Sequence, residues 1–304
     1  MPLFSRKKKK TTTLSFPCSL LFTELKLKEV VGTGRSGNTF SAYWMGRHVA
    51  ARLMDLSVAG QKNLAKELFK EFRHEKEVAG ALRHPNIVQF LGSASVPLRF
   101  CLVYEFMDGG TLSSVLRAKL MCSINFFRLT NDVARGMTYL HQNSIIHRDL
   151  KSSNVLLDGK GTAKISGFGH SCIMEWGHTA DLTVETGSYK WMAPEIIRHE
   201  PYSRKADVYS FAIIMWQLLT KDIPYKRQTP MQTAIAVAEH RMRPALPRNT
   251  PSKVAELIEH CWNPDPTRRP DFSAIVKVLP FIKQSLSKTE FKKAGIMYTL
   301  DHDT

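Results

Sequence analysis

The N-terminal part of the chain places hydrophobic residues at alternate positions in short runs. This pattern is typical of a half-buried β-strand, whose side chains point in turn to opposite faces of a sheet. The runs are Leu25–Val31, Thr39–Trp44, His48–Met54, Ile87–Leu91 and Phe100–Tyr104. Met45 and Gly46 separate two of these runs by the length of a tight hairpin turn. A glycine-rich stretch and this turn join the first three runs, so we predict an antiparallel meander over Leu25–Met54, followed by two further strands.

Helical spacing occurs once among these strands and dominates the rest of the sequence. There, apolar residues recur every three to four positions. The segments with this spacing are Gln61–Leu82, Ile124–Gln142, Met231–His240, Ser252–Trp262 and Phe272–Gln284. Asp207–Thr220 is apolar on nearly every side, so we predict a helix buried at the centre of a large domain.

The limits of these patterns define the expected domain. We expect one domain over residues 24–284, with a sheet-rich part at 24–107 and a helical part at 108–284. The segments 1–23 and 285–304 lack periodicity, and we expect both to be flexible tails, the first of them basic.

The composition is that of a globular protein with a basic surface. The 304 residues are 43% hydrophobic and carry 43 Lys and Arg against 27 Asp and Glu, a formal charge of +16. Arg6–Lys10 is the one basic run, and we expect it to favour an anionic membrane surface weakly. The other basic residues are dispersed, so we expect no specific nucleic-acid binding.

The 5 cysteines occur singly, without a C-x-x-C pair. This usage predicts a reducing, cytoplasmic compartment, with peripheral contact to a membrane left open. The sequence also contains no apolar run long enough to span a bilayer.

The most informative motif is His147-Arg-Asp149-Leu-Lys151-Ser-Ser-Asn154. It places a carboxylate, an ammonium and an amide close together, directly after a short apolar strand. Those groups suit deprotonating a hydroxyl, neutralising phosphate charge and ligating a divalent metal. A glycine-rich loop, Gly32-Thr-Gly34-Arg-Ser-Gly37, lies earlier between two predicted strands. A dinucleotide-binding loop would instead lead into a helix.

On these motifs the chain resembles a eukaryotic protein kinase over about residues 24–284. Met192-Ala-Pro-Glu195 is similar to the end of a kinase activation segment, and Asp207-Val-Tyr-Ser-Phe to the start of the central helix. The resemblance implies an α+β, bilobal fold. A small antiparallel β-sheet lobe with one main helix lies above a larger, mostly helical lobe, and ATP binds in the cleft with Mg²⁺.

The branch of the superfamily follows from smaller features. Lys151 resembles the residue typical of serine/threonine kinases. Gly187-Ser-Tyr-Lys-Trp191 and the pair Cys261-Trp262 resemble the tyrosine-kinase-like branch, which includes the Raf and mixed-lineage kinases.

The resemblance also implies roles for individual residues. Phosphoryl transfer would involve Asp149, Lys151 and Asn154, the last also as a weak metal ligand. Nucleotide binding would involve Gly32, Gly34, Gly37, Ala50, Arg52, Glu75, Tyr104, Glu105, Met107, Leu156 and Gly167. Regulatory roles would fall to Arg148, Thr179, Thr183, Thr186 and Ser188. Structural roles would fall to His147, Phe168, Glu195, Asp207 and Arg269, with Arg269 paired to Glu195.

Two positions depart from the family pattern. The third strand reads Val49-Ala50-Ala51-Arg52, so arginine stands where the family has the lysine that binds the nucleotide phosphates. Arginine is a planar fork of donors, and we expect it to lock onto a helix glutamate, Glu75 or alternatively Glu77.

The second departure removes a metal ligand. Gly167-Phe168-Gly169 stands where the family has Asp-Phe-Gly, whose aspartate binds Mg²⁺. The sequence therefore favours a pseudokinase that serves as an allosteric or scaffolding partner, and an active kinase of the same branch is the partner we expect. A serine/threonine kinase of low activity is the main alternative, and another nucleotide-transfer chemistry is a third.

Overall fold

The computed structural model describes residues 19–34, 37–56, 62–118, 125–173 and 188–296. Its strands are β1 (Leu25–Gly34), β2 (Gly37–Trp44), β3 (Arg47–Asp55), β4 (Phe90–Val96), β5 (Arg99–Glu105), β6 (Gly110–Thr111), β7 (Ile145–Ile146), β8 (Val155–Leu157), β9 (Ala163–Ile165) and β10 (Cys172–Ile173). Its helices are α1 (Lys62–Ala81), α2 (Leu112–Arg117), α3 (Phe126–Gln142), α4 (Pro194–Ile197), α5 (Lys205–Thr220), α6 (Pro230–Ala238), α7 (Ser252–Cys261), α8 (Phe272–Ser285) and α9 (Lys288–Ala294). Short 3₁₀ helices lie at Phe22–Glu24, Ser152–Asn154, Phe168–His170 and Pro266–Arg268.

The N-terminal lobe is an antiparallel sheet with the strand order β1-β2-β3-β5-β4 and helix α1. The β2–β3 hairpin turns at Met45 and Gly46, whose φ angles of 49° and 80° are the positive values that a tight hairpin requires. Register pairs Thr39 with Arg52, and Ala50 with Tyr104. The predicted meander is therefore present, and it brings β3 beside β5 at the edge of the cleft.

The fourth predicted strand is displaced. Ile87–Leu91 is not one strand: Ile87 forms an isolated parallel bridge with Ile165, and β4 begins only at Phe90. Ile87 and Val88 are both buried. A short apolar run is consistent with any buried extended segment, and it does not reveal which neighbour the backbone will pair with.

The C-terminal lobe is helical and surrounds α5. Every residue of α5 from Ala206 to Leu219 is buried, as its uniform apolar character predicts. Helix α3 presents one apolar face and packs with α8, α5 and β9. The short strands β6, β8 and β9 form a small sheet beside the cleft, and they position the loop that contains Asp149.

The two chain ends are more ordered than predicted wherever the structure describes them. Leu20 is buried, and its amide donates to the Ser93 carbonyl oxygen on β4. Helix α9 occupies part of the segment expected to be a flexible tail, and Phe291 packs against Phe127 with ring centroids 5.8 Å apart. A single apolar residue within a short polar helix gives no periodicity to detect.

Of the helices within the described ranges, none combines the length and the apolar character that crossing a membrane requires.

Candidate active site

Arg52 on β3 is held by two carboxylates of helix α1. Its Nη1 donates to Glu75 Oε2 at 2.7 Å, and its Nη2 donates to Glu71 Oε1 at 3.1 Å. Burial opposes the charge of the guanidinium, but the two carboxylates outweigh it and raise the pKa of Arg52. The predicted pair of Arg52 with Glu75 is present, whereas Glu77 is exposed.

Tyr104 on β5 completes this group. Its hydroxyl donates to Glu75 Oε1 at 2.7 Å, so both oxygens of the Glu75 carboxylate are occupied. Burial, followed by the charge of Glu75, raises the pKa of Tyr104 well above its ordinary value. We call Arg52, Glu71, Glu75 and Tyr104 the Arg52 cluster. Its geometry directs the positive charge of Arg52 towards α1.

Glu71 was not predicted to take part. It lies four positions before Glu75, the spacing that places two side chains on the same face of a helix. A five-donor guanidinium can bind two such carboxylates at once. This spacing, read together with the arginine at position 52, is the sequence signal that would have found Glu71.

Asp149 lies in a loop below this cluster, within a group of polar side chains. It accepts hydrogen bonds from Lys151 Nζ at 2.9 Å, Ser188 Oγ at 2.8 Å and Asn154 Nδ2 at 2.9 Å. Lys151 Nζ also donates to Ser188 Oγ at 2.8 Å. The structure therefore brings together the predicted residues Asp149, Lys151, Asn154 and Ser188.

The charge state of Asp149 follows from these neighbours. Burial alone would raise the pKa of Asp149, but the charge of Lys151 and the hydrogen bonds from Lys151 and Ser188 lower it below the ordinary value. The carboxylate is therefore ionised at neutral pH. In that state it can accept a proton from a hydroxyl group brought within hydrogen-bond distance.

Gly167 adopts a backbone conformation that favours glycine, with φ 83° and ψ 56°. A Cβ atom at this position would lie 2.9 Å from both Cγ and Nδ2 of Asn154, and 3.0 Å from its Oδ1. The Asn154 amide therefore occupies the space beside Gly167 that a side chain would enter. Ser166 does not substitute for the missing carboxylate, because its hydroxyl donates to the Asn154 carbonyl oxygen at 3.1 Å.

The glycine-rich motif lies at the paired ends of β1 and β2, and its residues 35 and 36 are outside the described part of the chain. Gly34 pairs with Gly37, and Gly32 pairs with Thr39. Gly37 has φ 135°, and a Cβ there would lie 2.0 Å from the Leu53 carbonyl oxygen, so glycine is required at this close approach.

The segment Glu105-Phe106-Met107, which we call the hinge, connects the two lobes. Glu105 accepts a hydrogen bond from Lys164 Nζ on β9 at 2.8 Å and another from the Gln89 amide at 2.7 Å. Its side chain therefore links this segment to β9 and to the chain before β4. The ring of Phe106 stacks on His48 with centroids 3.8 Å apart. Met107 is buried, and the predicted cleft residues Ala50 and Leu156 lie in β3 and β8.

His147 and Phe168 lie in the core below the cleft. His147 is fully buried, and its Nε2 donates to the Ser166 carbonyl oxygen at 2.9 Å. Burial lowers the pKa of His147, while the negative charge of Asp207 opposes that shift. Phe168 is also fully buried, with its ring centroid 5.5 Å from that of His147. Both residues pack as the resemblance implies.

Asp207, near the start of α5, holds the backbone of the loop that leads to Asp149. Its carboxylate accepts from the amides of His147 at 2.9 Å and Arg148 at 3.0 Å, and from His141 Nε2 at 2.8 Å. Arg148 has a positive φ of 65°, which these two amide bonds hold in place.

Glu195 and Arg269 form the predicted ion pair. The guanidinium binds both carboxylate oxygens, at 2.6 Å and 2.9 Å, and both side chains are almost completely buried. Arg269 also donates to the Asn263 and Lys205 carbonyl oxygens. The pair joins α4, at the end of the activation segment, to the loop between α7 and α8.

Arg148 is not free to extend. Its guanidinium donates to the His170 carbonyl oxygen, to the Tyr202 hydroxyl at 3.2 Å and to the Ser171 carbonyl oxygen at 3.4 Å. Thr179, Thr183 and Thr186, the predicted phosphate acceptors, lie outside the described residues. The regulatory roles of these residues stay predictions.

The residues at the predicted metal position are poor ligands for a magnesium ion. At the metal position Gly167 provides no side-chain oxygen, so of the predicted metal ligands only the uncharged Asn154 side chain is present. Magnesium prefers several hard oxygen ligands, so the residues present do not fit the ion.

The sequence matches the family of protein tyrosine and serine/threonine kinases over residues 25–279. The chain belongs to this family, and its two-lobed fold is that of a protein kinase domain. Members of the family generally use ATP and magnesium.

Its relatives include serine/threonine kinases of the tyrosine-kinase-like type. The chain is 39% identical over 266 residues to the serine/threonine-protein kinase STY46 of Arabidopsis thaliana, covering 87% of this chain and 45% of that protein. It is 38% identical over 293 residues to the serine/threonine/tyrosine-protein kinase HT1 of Arabidopsis thaliana, covering 92% of this chain and 73% of the relative. It is 38% identical over 283 residues to mitogen-activated protein kinase kinase kinase 10 of Homo sapiens, covering 90% of this chain and 29% of the relative. The chain thus spans less than half the length of STY46 and less than a third of that of the human kinase.

Proposed function

We propose that this kinase domain is a pseudokinase, which acts as an allosteric or scaffolding partner in phosphorylation signalling. The observation that carries the proposal is the state of the metal position. Gly167 has no side chain, and the uncharged Asn154 amide occupies the space beside it. The domain thus lacks the carboxylate that would hold the ion between the phosphates of ATP.

The Arg52 cluster supports the same conclusion. In an active kinase a lysine binds the nucleotide phosphates while it pairs with a glutamate of the helix. Here Nη1 and Nη2 of Arg52 bind separate carboxylates, Glu75 and Glu71. Two negative charges surround one cation, so little positive charge is left to neutralise phosphate.

The size of the combined deficit can be estimated. The loss of one preorganised electrostatic group costs about 10²-fold to 10³-fold in rate. Two such losses reach about 10⁴-fold to 10⁶-fold, although groups that act together do not add simply. A kinase with a turnover of about 1–100 per second would then be almost silent.

A serine/threonine kinase of low activity is the second candidate, and the Asp149 group favours it. Asp149 is ionised, and Lys151 and Ser188 are both in contact with it. These contacts provide a base and a cation for transfer to a protein hydroxyl. Phosphoryl transfer depends chiefly on positioning and charge neutralisation, however, and those are the functions that Arg52 and Gly167 weaken.

Transfer of labelled γ-phosphate from ATP to a generic protein substrate separates the two candidates. The unaltered chain would be compared with Asp149→Ala and with the double variant Arg52→Lys, Gly167→Asp, each checked for folding by thermal unfolding. We expect the unaltered chain to match Asp149→Ala and the double variant to exceed both. Transfer at an ordinary kinase rate that Asp149→Ala abolishes would establish the second candidate instead.

The partner and the compartment are part of the proposal. We propose an active kinase of the same branch as partner, in the cytoplasm, with weak contact between Arg6–Lys10 and anionic membranes. The described cysteines Cys101, Cys172 and Cys261 are free thiols, in keeping with a reducing compartment. Co-purification with such a kinase, and a change in its activity on mixing, would support the partner; no effect on any kinase of the branch would contradict it.

A further inference from the structure

A cavity of about 680 Å³ lies in the C-terminal lobe, away from the cleft. It is bounded by the first residue of α4, by the end of α6 with the loop after it, and by the loop between α7 and α8. Four arginines line the cavity against two carboxylates: Arg198, Arg241, Arg243 and Arg268, with Glu239 and Asp265. The lining is therefore positively charged.

Arg198 forms a wall of the cavity. Its Nε and Nη2 bind the two oxygens of Glu200 at 2.6 Å and 2.7 Å, and its Nη1 donates to the Ala238 carbonyl oxygen at 2.9 Å. Glu200 thus balances the charge of Arg198, and the three nitrogens of its guanidinium are already hydrogen-bonded. Its contacts join α4 to the end of α6, which fixes the shape of the opening.

Arg243 differs from Arg198, because one of its guanidinium nitrogens has no hydrogen-bond partner. Its Nε donates to the Trp262 carbonyl oxygen at 3.1 Å and its Nη1 to the Met242 carbonyl oxygen at 2.8 Å. Its Nη2 is buried without a hydrogen-bond partner, and the guanidinium lies 4.9 Å from the centroid of the Tyr209 ring. A buried donor without a partner is rare. This nitrogen is closed off from solvent, so Arg243 contributes its positive charge to the cavity lining rather than this donor. None of these contacts neutralises the charge of Arg243.

Arg241 and Arg268 place two further cations at the rim. Arg241 has a positive φ of 51° and an exposed side chain. Arg268 is 75% exposed, and its Nε lies 3.6 Å from Asp265 Oδ2, beyond ordinary hydrogen-bond distance. Asp265 Oδ1 accepts from the amide and the hydroxyl of Thr267 at 2.9 Å and 2.7 Å. Because Oδ2 approaches Arg268 only at 3.6 Å and the arginine is largely exposed, the Arg268 guanidinium has donors for another group.

We propose that this cavity binds the phosphorylated side chain of a protein partner. Guanidinium groups bind the oxygens of a phosphate monoester with two parallel hydrogen bonds. Arg241, in the segment after α6, and Arg268, in the segment between α7 and α8, line one space, and Arg243 adds positive charge to its lining. The volume exceeds that of a phosphate group and leaves room for neighbouring peptide residues. An extended nucleic acid would need a row of cations along a surface, whereas these surround a single cavity. The proposal is independent of whether the cleft transfers phosphate.

Titration of the isotope-labelled full chain, followed by its amide NMR signals, tests the proposal. The probe is a heptapeptide of Gly and Ala with one central phosphoserine, beside the same peptide with Ser or with Glu at that position, and inorganic phosphate alone. We expect the phosphopeptide to shift the signals of residues 237–243 and 263–268. We expect it to bind at least about tenfold more tightly than each of the three comparison probes, because charge-assisted bonds to phosphate are the main contacts.

Matched variants complete the test. Arg241→Ala with Arg268→Ala changes only exposed side chains and should weaken phosphopeptide binding by about tenfold or more, and Arg248→Ala, an exposed arginine outside the lining, should leave it unchanged. The proposal is overturned by unaltered affinity in the double variant, by shifts confined to the surroundings of Arg148, or by no shift up to about 5 mM phosphopeptide. Equal affinity for inorganic phosphate would overturn the assignment to a protein partner.

Discussion

At the scale of single residues, Gly167 and Asn154 depend on each other. The left-handed backbone at Gly167 is one cost of placing a side chain there, and the Asn154 amide, 2.9 Å from the Cβ position, is a second. Restoring an acidic residue therefore requires the amide to turn away. The absence of a carboxylate is built into the packing of the site as well as into its sequence.

The two costs can be separated, since the chain offers a matched glycine. Gly161 has φ 75° with nothing within 4 Å of its Cβ position, so Gly161→Ala carries the backbone cost alone, about 1–2 kcal/mol. We expect Gly167→Ala to lower the free energy of unfolding by about 1–3 kcal/mol more, measured by urea denaturation. We also expect Asn154→Ala to remove that excess in a double-mutant cycle. Equal costs at both glycines would contradict the packing described here.

His147 gives the stability of the fold a pH dependence. Its Nε2 donates to Ser166, and its Nδ1 accepts from the Asp149 amide at 3.2 Å, so the buried ring is held in the neutral form. Burial lowers the pKa of His147, whereas in the unfolded chain the ring takes up a proton below about pH 6.5. The unfolded state then binds more protons. Stability is therefore complete above that pH and falls as the pH drops towards the folded pKa.

We expect this fall to approach about 1.4 kcal/mol per pH unit from His147, seen as a decrease in the free energy of unfolding between pH 7.5 and 5.5. His147→Gln should reduce the slope, although it lowers stability at neutral pH. His240→Gln, at an exposed position, should keep the slope of the unaltered chain. Identical slopes in all three proteins would show that His147 is not held neutral.

Residue roles divide clearly into those that the sequence could predict and those that it could not. The pairs of Arg52 with Glu75 and of Glu195 with Arg269 were predicted, because motif spacing fixes both partners. The second carboxylate, Glu71, and the position of the Asn154 amide beside Gly167 were not. They depend on which of several polar groups the fold brings within reach of one another, and a linear pattern does not contain that distance.

At the scale of elements, the sequence predicted the helices and strands whose hydrophobic pattern repeats. It did not predict a helix that is held by a single buried residue. Helix α5 and strands β2 and β3 lie where the pattern of hydrophobic positions puts them, because every turn or alternate residue repeats the signal. Helix α9 has one buried anchor, Phe291, within a polar segment. Its order comes from packing on the lobe and from the capping box of Ser287 and Glu290.

The contribution of α9 can be measured with two phenylalanines. Phe291 is 1% exposed, whereas Phe281 on α8 is 69% exposed. We expect Phe291→Ala to lower the free energy of unfolding by about 3–5 kcal/mol, and Phe281→Ala to change it by less than about 0.5 kcal/mol. Urea denaturation of both variants provides the measurement. Similar small effects would mean that the C-terminal segment is a loose tail, as its sequence alone suggests.

At the scale of the whole molecule, the two walls of the cleft differ in how many of the groups of an active kinase they keep. The loop with Asp149, Lys151 and Ser188 has the contacts of a competent phosphate-transfer site. On the opposite wall, the Arg52 cluster joins β3 and β5 to α1 within the N-terminal lobe, and Gly167 provides no carboxylate. Under the proposed function, this ordered arrangement serves contact with a partner rather than phosphate transfer.

The affinity for ATP measured with and without Mg²⁺ tests this account most directly, by thermal unfolding of the unaltered chain at rising ATP concentration. Ligand at about 100 times its dissociation constant stabilises a fold by about 2.7 kcal/mol, so binding is readily detected. We predict that Mg²⁺ adds nothing to whatever stabilisation ATP alone provides, because no carboxylate at position 167 receives the ion. A clear increase with Mg²⁺, equivalent to tenfold tighter ATP binding or about 1.4 kcal/mol, would contradict the account.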